Sequence, residues 1–92
     1  MSFINVRNKK GTADKTPPDE YTSWLDFWEK NKGKKATECE ATLCYKKATV
    51  GGHVIKDGKG GKEYILPLCH FHNGQSEDEI FNAWENDLIP VK

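Results

Sequence analysis

Residues 36–75 read ATECEATLCYKKATVGGHVIKDGKGGKEYILPLCHFHNGQ, and they hold every cysteine and every histidine of the chain. Cys39 and Cys44 are separated by four residues; twenty-four residues later Cys69 and His72 are separated by two. A structural zinc ion takes four sulfur or nitrogen ligands at the corners of a tetrahedron, and a closely spaced pair on each of two arms is how one chain reaches all four corners. The stretch supplies one pair per arm and uses all three cysteines. Cysteines can also pack as small apolar side chains, but that reading leaves their paired spacing without a reason.

Three histidines compete for the fourth corner. His70 adjoins Cys69, and neighbours on a helical turn point about 100° apart, so both cannot easily meet one ion. His72, three positions beyond Cys69, returns to the same face. The expected ligands are therefore Cys39, Cys44, Cys69 and His72, with His53 in reserve. Three thiolates, a neutral imidazole and a doubly positive ion leave one net negative charge, which Lys46 and Lys47 are placed to offset.

Between the two pairs lie short apolar runs, Ala48-Thr49-Val50, Val54-Ile55 and Tyr64-Ile65-Leu66, interrupted by Gly51-Gly52 and by Asp57-Gly58-Lys59-Gly60-Gly61. This is the pattern of a β-hairpin with a glycine-rich turn. The glycines lack the spacing of a phosphate-binding loop, and no Gly-Lys-Ser/Thr follows them.

Working outward, Tyr21, Trp24, Leu25 and Trp28 fall at i, i+3, i+4 and i+7. That predicts a helix starting near Pro18-Asp19-Glu20 and ending at Asn31–Lys35, its aromatic face turned to the core. Residues 1–18 carry Arg7, Asn8, Lys9, Lys10 and Gly11, apolar residues only at Phe3, Ile4 and Val6 after the initial Met, and a closing Pro17-Pro18 pair. They read as a flexible N-terminal arm. On the other side, Ser76 and Glu79 form a capping-box pattern, and Ile80, Phe81, Trp84 and Leu88 make an apolar face. A C-terminal helix ending near Asp87 is expected, with Pro90 as its stop.

At 92 residues, 36% hydrophobic and 30% charged, the chain is long enough for one domain and short of apolar material for a self-sufficient core. Domains of this size commonly depend on a metal, a disulfide or a partner. Three cysteines cannot all pair, and no export signal or membrane-spanning run is apparent, so a cytoplasmic setting with reduced thiols is expected. Fourteen basic and fourteen acidic residues cancel, but residues 30–62 hold nine lysines against three acids, while residues 76–92 hold five acids against one lysine. One zinc-binding domain over residues 19–92, of α+β class, is the expected organisation.

The motifs in this order resemble those of the HNH endonuclease superfamily, whose core is a treble-clef, ββα-metal fold. The resemblance covers about residues 36–75: a first ligand pair, Gly51-Gly52-His53-Val54-Ile55 on a strand, then Tyr64-Ile65-Leu66-Pro67-Leu68 leading into Cys69-His70-Phe71-His72-Asn73. It implies a treble clef made of the hairpin and a short helix, flanked here by aromatic-rich helices. It also implies that His53 matches the general base, which takes a proton from the water attacking a phosphodiester. Asn73 falls at the final motif position, a ligand of the catalytic divalent ion. Gly52 stands where an acid or histidine usually helps hold that ion, and Tyr64 stands near the Asn that orients the base. The motif is degenerate.

The resulting expectation is a zinc-stabilised binding module that engages DNA or RNA through the lysines of residues 30–62, or else a protein, and no membrane. The alternative is a working HNH-type nuclease with His53 as base, a Mg2+ or Mn2+ ion, and Asp57 or Glu63 recruited as an extra ligand. A thiol-reactive role would need an exposed, low-pKa cysteine, which closure of the site by four ligands removes.

Overall fold

In the computed structural model, which describes residues 2–9 and 15–91, the chain runs β1 (Phe3–Asn8), α1 (Trp24–Lys32), β2 (Val50–Lys56), β3 (Glu63–Leu68), α2 (His70–Asn73), β4 (Phe81–Trp84), a 3-10 turn (Glu85–Asp87) and β5 (Ile89–Pro90). The strands form one antiparallel sheet in the order β4-β1-β2-β3-β5. The α+β class holds. No helix among the described residues is long and apolar enough to cross a membrane.

The hairpin forms where the apolar runs place it, with β2 and β3 paired from Val50–Leu68 to Ile55–Glu63. Gly58 and Gly60 take positive φ in its turn. Because strand side chains alternate faces, the hairpin divides the molecule into two layers. On one face Val54, Leu66 and Leu68 join Val6, Ala83, Leu88 and the buried Cys39 and Cys69. On the other face Ile65 packs on Phe27 and Trp28 of α1, with Trp24, Tyr21, Ile89 and Val91 around them.

Helix α1 starts later than the sequence suggests. Pro18 and Tyr21 close a turn, and Ser23 is the N-cap, its hydroxyl accepting from the Asp26 N–H at 3.0 Å. Gly33 ends it at φ 79°, the left-handed geometry that glycine adopts without strain. The start of this helix lies directly on β2. A Cβ at Gly51 would stand 2.6 Å from Leu25 N and from Trp24 C. These are backbone atoms and cannot rotate away, so Gly51→Ala should destabilise the protein by at least about 1–3 kcal/mol, the usual cost of overpacking. Denaturant unfolding checks this, with exposed Gly61→Ala as the control; equal stability of the two variants would show that α1 shifts freely on the sheet.

Two expectations are corrected at the chain ends. Within residues 1–18, Phe3–Asn8 is not an arm but an inner strand, paired with β2 through Val6–Lys56, Arg7–Ile55 and Asn8–Val54, and with β4 from Phe3–Trp84 to Val6–Phe81. Residues 10–14 lie outside the described residues. The expected C-terminal helix is replaced by a turn, with Glu79 N–H donating to Ser76 C=O, followed by β4, the 3-10 turn and β5. Both errors have one cause. A short segment with a mixed apolar pattern takes the conformation its partner offers, and β1 and β4 are each other's partner.

Candidate metal centre

The first ligand arm has almost no regular structure of its own. Residues 36–49 are tied by a Glu38–Lys47 bridge, by the Cys39 N–H donating to Lys46 C=O at 2.8 Å and by the Cys44 N–H donating to Ala41 C=O at 3.0 Å. Leu43, at φ 65°, reverses the chain just before Cys44. A non-glycine residue in that region is uncommon, and here the reversal returns the second thiol toward the first. Ala41 bridges Ala83, and Thr42 donates from its N–H and its hydroxyl to Asn82 C=O, which fastens the knuckle to the outer edge of β4.

The second arm follows from the end of β3. Cys69 is the extended N-cap of α2, and one short turn later His72 faces back toward it. The structure brings Cys39, Cys44, Cys69 and His72 together, with their four ligand atoms all within 4.8 Å of one another. Cys44 Sγ lies 3.8 Å from Cys69 Sγ, and His72 Nδ1 lies 3.5 Å from Cys69 Sγ and 3.6 Å from Cys39 Sγ. Zinc–ligand bonds of about 2.3 Å to sulfur and about 2.05 Å to nitrogen give tetrahedron edges of about 3.8 Å between sulfurs and about 3.6 Å between sulfur and nitrogen. The three separations match those edges, so the residues fit a metal ion such as zinc. His70 is exposed and takes no part.

The thiols differ in ways that also favour a cation. Burial pushes the Cys39 thiol up to about 12. Cys69 is opposed by burial too, but the His72 backbone N–H, the His72 ring and the neighbouring thiols of Cys39 and Cys44 outweigh it and bring Cys69 to about 6. The cluster thus holds one thiolate readily, and full ionisation requires a compensating positive charge.

Asn8 supports this centre, although the sequence placed it in a flexible arm. It is buried on β1, and its amide nitrogen lies 2.7, 3.2 and 3.0 Å from the carbonyls of His72, Asn73 and Gln75. The His72 and Asn73 carbonyls close the four-residue helix α2 and that of Gln75 follows it, so Asn8 ties the end of the second arm to β1. With three polar residues in the six of Phe3–Asn8, nothing in the sequence singled out Asn8.

The positions matched to catalysis do not converge. Gly52 faces α2: a Cβ there would stand 2.8 Å from Asn73 Oδ1 and 2.6 Å from Leu68 Cδ1. His53, one residue on, faces α1. It is 7% exposed and stacks edge-to-face on Trp24 with ring centroids 4.7 Å apart. His53 and Asn73 therefore lie on opposite sides of the sheet, as do His53 and the four clustered ligands, so His53 is also excluded as a reserve ligand. Its Nε2 is buried and makes no hydrogen bond among the described residues. Glu63, one of the acids weighed as an added ligand, is held by Lys15 at 2.6 Å. Asp57 pairs with Arg7 at 3.3 Å.

Burial lowers the His53 pKa below the ordinary 6.5; the Glu63 carboxylate opposes this and Lys15 assists it. The folded protein therefore binds this proton less readily than the unfolded chain. The stability His53 confers is complete above 6.5 and falls as pH drops from there toward the lowered value. In the metal-loaded protein, the ring protons of His53 should titrate with a midpoint below 6.5 in an NMR titration. A His53 midpoint at or above 6.5 would mean that water reaches the ring.

The lysines of residues 30–62 do not form one free basic face. Lys30, Lys32, Lys35 and Lys56 lie 3.2, 3.1, 3.9 and 3.2 Å from carboxylates of Asp26, Asp87, Glu29 and Glu85. Lys46 instead lies over the Phe71 ring, 5.4 Å from its centroid, and Lys47 is exposed with no carboxylate partner among the described residues. No family model, curated protein or solved structure matches the chain, so its role has to be read from these features.

Proposed function

We propose that the chain is a zinc-stabilised binding module, built as a treble clef from the knuckle, the β2–β3 hairpin and α2, and that it does not cleave phosphodiesters. The observation that carries this reading is the position of His53 under Trp24. A general base must come within hydrogen-bond reach of the proton it removes, and a ring enclosed by an indole on the face away from Asn73 is turned from the position that would complete the motif. The HNH-like order of motifs then marks a shared scaffold whose catalytic positions are filled by Gly52, a buried His53 and Asn73.

Nucleic acid is the favoured partner. Residues 41–56 and 64–76 contain no acidic side chain, and they cover most of the hairpin, α2 and the part of the knuckle that follows Glu38 and Glu40. Lys46 and Lys47 on that surface can displace counterions from phosphates. The test uses zinc-loaded protein and supercoiled plasmid with Mg2+ or Mn2+. The plasmid should stay uncut, and it should be retarded on gels at about 50 mM salt and released near 200 mM. Cleavage that disappears in His53→Ala would replace this reading with the nuclease.

A further inference from the structure

Among the described residues, five large apolar side chains are exposed: Phe3, Leu43, Tyr45, Phe71 and Ile80. Three of them stand on the two segments that carry the metal ligands. Tyr45 directly follows Cys44 and is 74% exposed; Phe71 lies between His70 and His72 and is 59% exposed. Both rings are thus held out to solvent by backbone that the ligand cluster anchors, which keeps the entropic cost of ordering them low. The Lys46 ammonium above the Phe71 ring joins the two segments into one surface.

We infer that the knuckle and α2 form a stacking platform for single-stranded nucleic acid, with bases on Tyr45 and Phe71 and backbone phosphates on Lys46 and Lys47. This deepens the binding-module reading and rests on it. Exposed aromatic rings interleaved with lysines are how sequence-tolerant single-strand binders work, because every base has a flat face to stack. A duplex hides those faces. Nor does this surface present a reading helix, since α2 has four residues and carries His, Phe, His and Asn. A protein partner fits less well, because lysine is depleted from protein interface cores while here two lysines adjoin the rings.

The platform has a direction. Tyr45 also borders a groove of about 310 Å3, whose other walls include Leu43, Phe3 and Trp84. Phe3 and Trp84 lie against each other there, with ring centroids 3.9 Å apart. Glu38 and Glu40 line the same groove. Apolar walls beside the Glu38 carboxylate admit a base and repel a phosphate, so the strand's backbone runs on the Lys46–Lys47 side and its bases turn toward the groove.

The experiment measures binding of zinc-loaded full chain to labelled oligothymidylate and oligouridylate by fluorescence anisotropy, with a duplex of equal length in parallel. Tyr45→Ala and Phe71→Ala should each weaken single-strand binding roughly 5- to 100-fold, as loss of one base stack does, while leaving duplex binding unchanged. Metal content is measured in each variant. Tyr45→Phe and Phe71→Tyr keep a ring and should retain most of the affinity. As an independent readout, oligothymidylate should shift the ring protons of Tyr45 and Phe71 upfield in the unaltered protein. Binding that falls in Lys46→Ala and Lys47→Ala but ignores the rings overturns the platform and leaves nucleic-acid binding standing. Absence of binding to single strands and duplex alike, at low salt, overturns both and transfers the exposed aromatic surface to a protein partner.

Discussion

Removal of the metal should unfold the protein rather than merely loosen it. Residues 36–49 form no strand or helix and are held by two isolated bridges and scattered hydrogen bonds, including Glu40 N–H to Pro67 C=O and Thr49 N–H to Leu68 C=O, yet they cover the face where Val6, Val54, Leu66 and Leu68 are fully buried. If the knuckle detaches, that face meets water. Apparent zinc-binding free energies of about 10–16 kcal/mol at such sites are of the same size as the whole stability of an ordinary domain, about 5–15 kcal/mol. A chelator should therefore abolish the cooperative thermal transition and collapse the dispersion of the amide NMR spectrum, and re-addition of Zn2+ should restore both. Cys44→Ser and Cys69→Ser should behave like chelation, whereas His70→Ala should keep one metal ion per chain by elemental analysis. Zinc lost from His70→Ala but retained in His72→Ala would exchange the fourth ligand. A well-dispersed spectrum that survives chelation would mean that the apolar layers hold the fold by themselves.

Trp28→Ala should produce the largest loss on the other face, about 3–5 kcal/mol for emptying a large aromatic site. Trp28 is completely buried between α1 and β3, and its indole N–H donates to Asp87 C=O at 2.7 Å. The side chain thus both fills the second core and ties down the turn between β4 and β5. Trp28→Phe separates the two contributions, since it restores most of the apolar volume and leaves the carbonyl without its donor, a loss of about 1 kcal/mol. Denaturant unfolding of the metal-loaded variants reads both numbers. If Trp28→Ala fell within about 1 kcal/mol of the unaltered protein, the helix would have to be a surface attachment rather than half of the core.

These two expectations rest on features of different visibility. The cluster of Cys39, Cys44, Cys69 and His72 and the hairpin between its two arms are legible in the sequence because each depends on short-range constraints. Ligand spacing sets what one ion can reach, side-chain alternation sets the hairpin, and a glycine-rich run sets its turn. The aromatic helix is legible for the same reason, its stripe at i, i+3, i+4 and i+7 being a local signal; only its first turn was misplaced, because Ser23 caps better than the Pro18 turn.

What the sequence alone could not decide is where the chain ends go and which way His53 looks. Phe3–Asn8 is too polar to announce a strand, and Phe81–Trp84 carries a helical pattern as well as a strand one. Each becomes a strand because the other, at the opposite end of the chain, supplies its hydrogen bonds, and no local rule contains that pairing. His53 has the motif position of a base, but whether it meets solvent depends on what covers β2. The close approach of α1 at Gly51 brings Trp24 over the ring. Short-range chemistry thus determined the spacing of the Cys3His cluster and the hairpin, while the long-range packing of β1, β4 and α1 decided that His53 is enclosed.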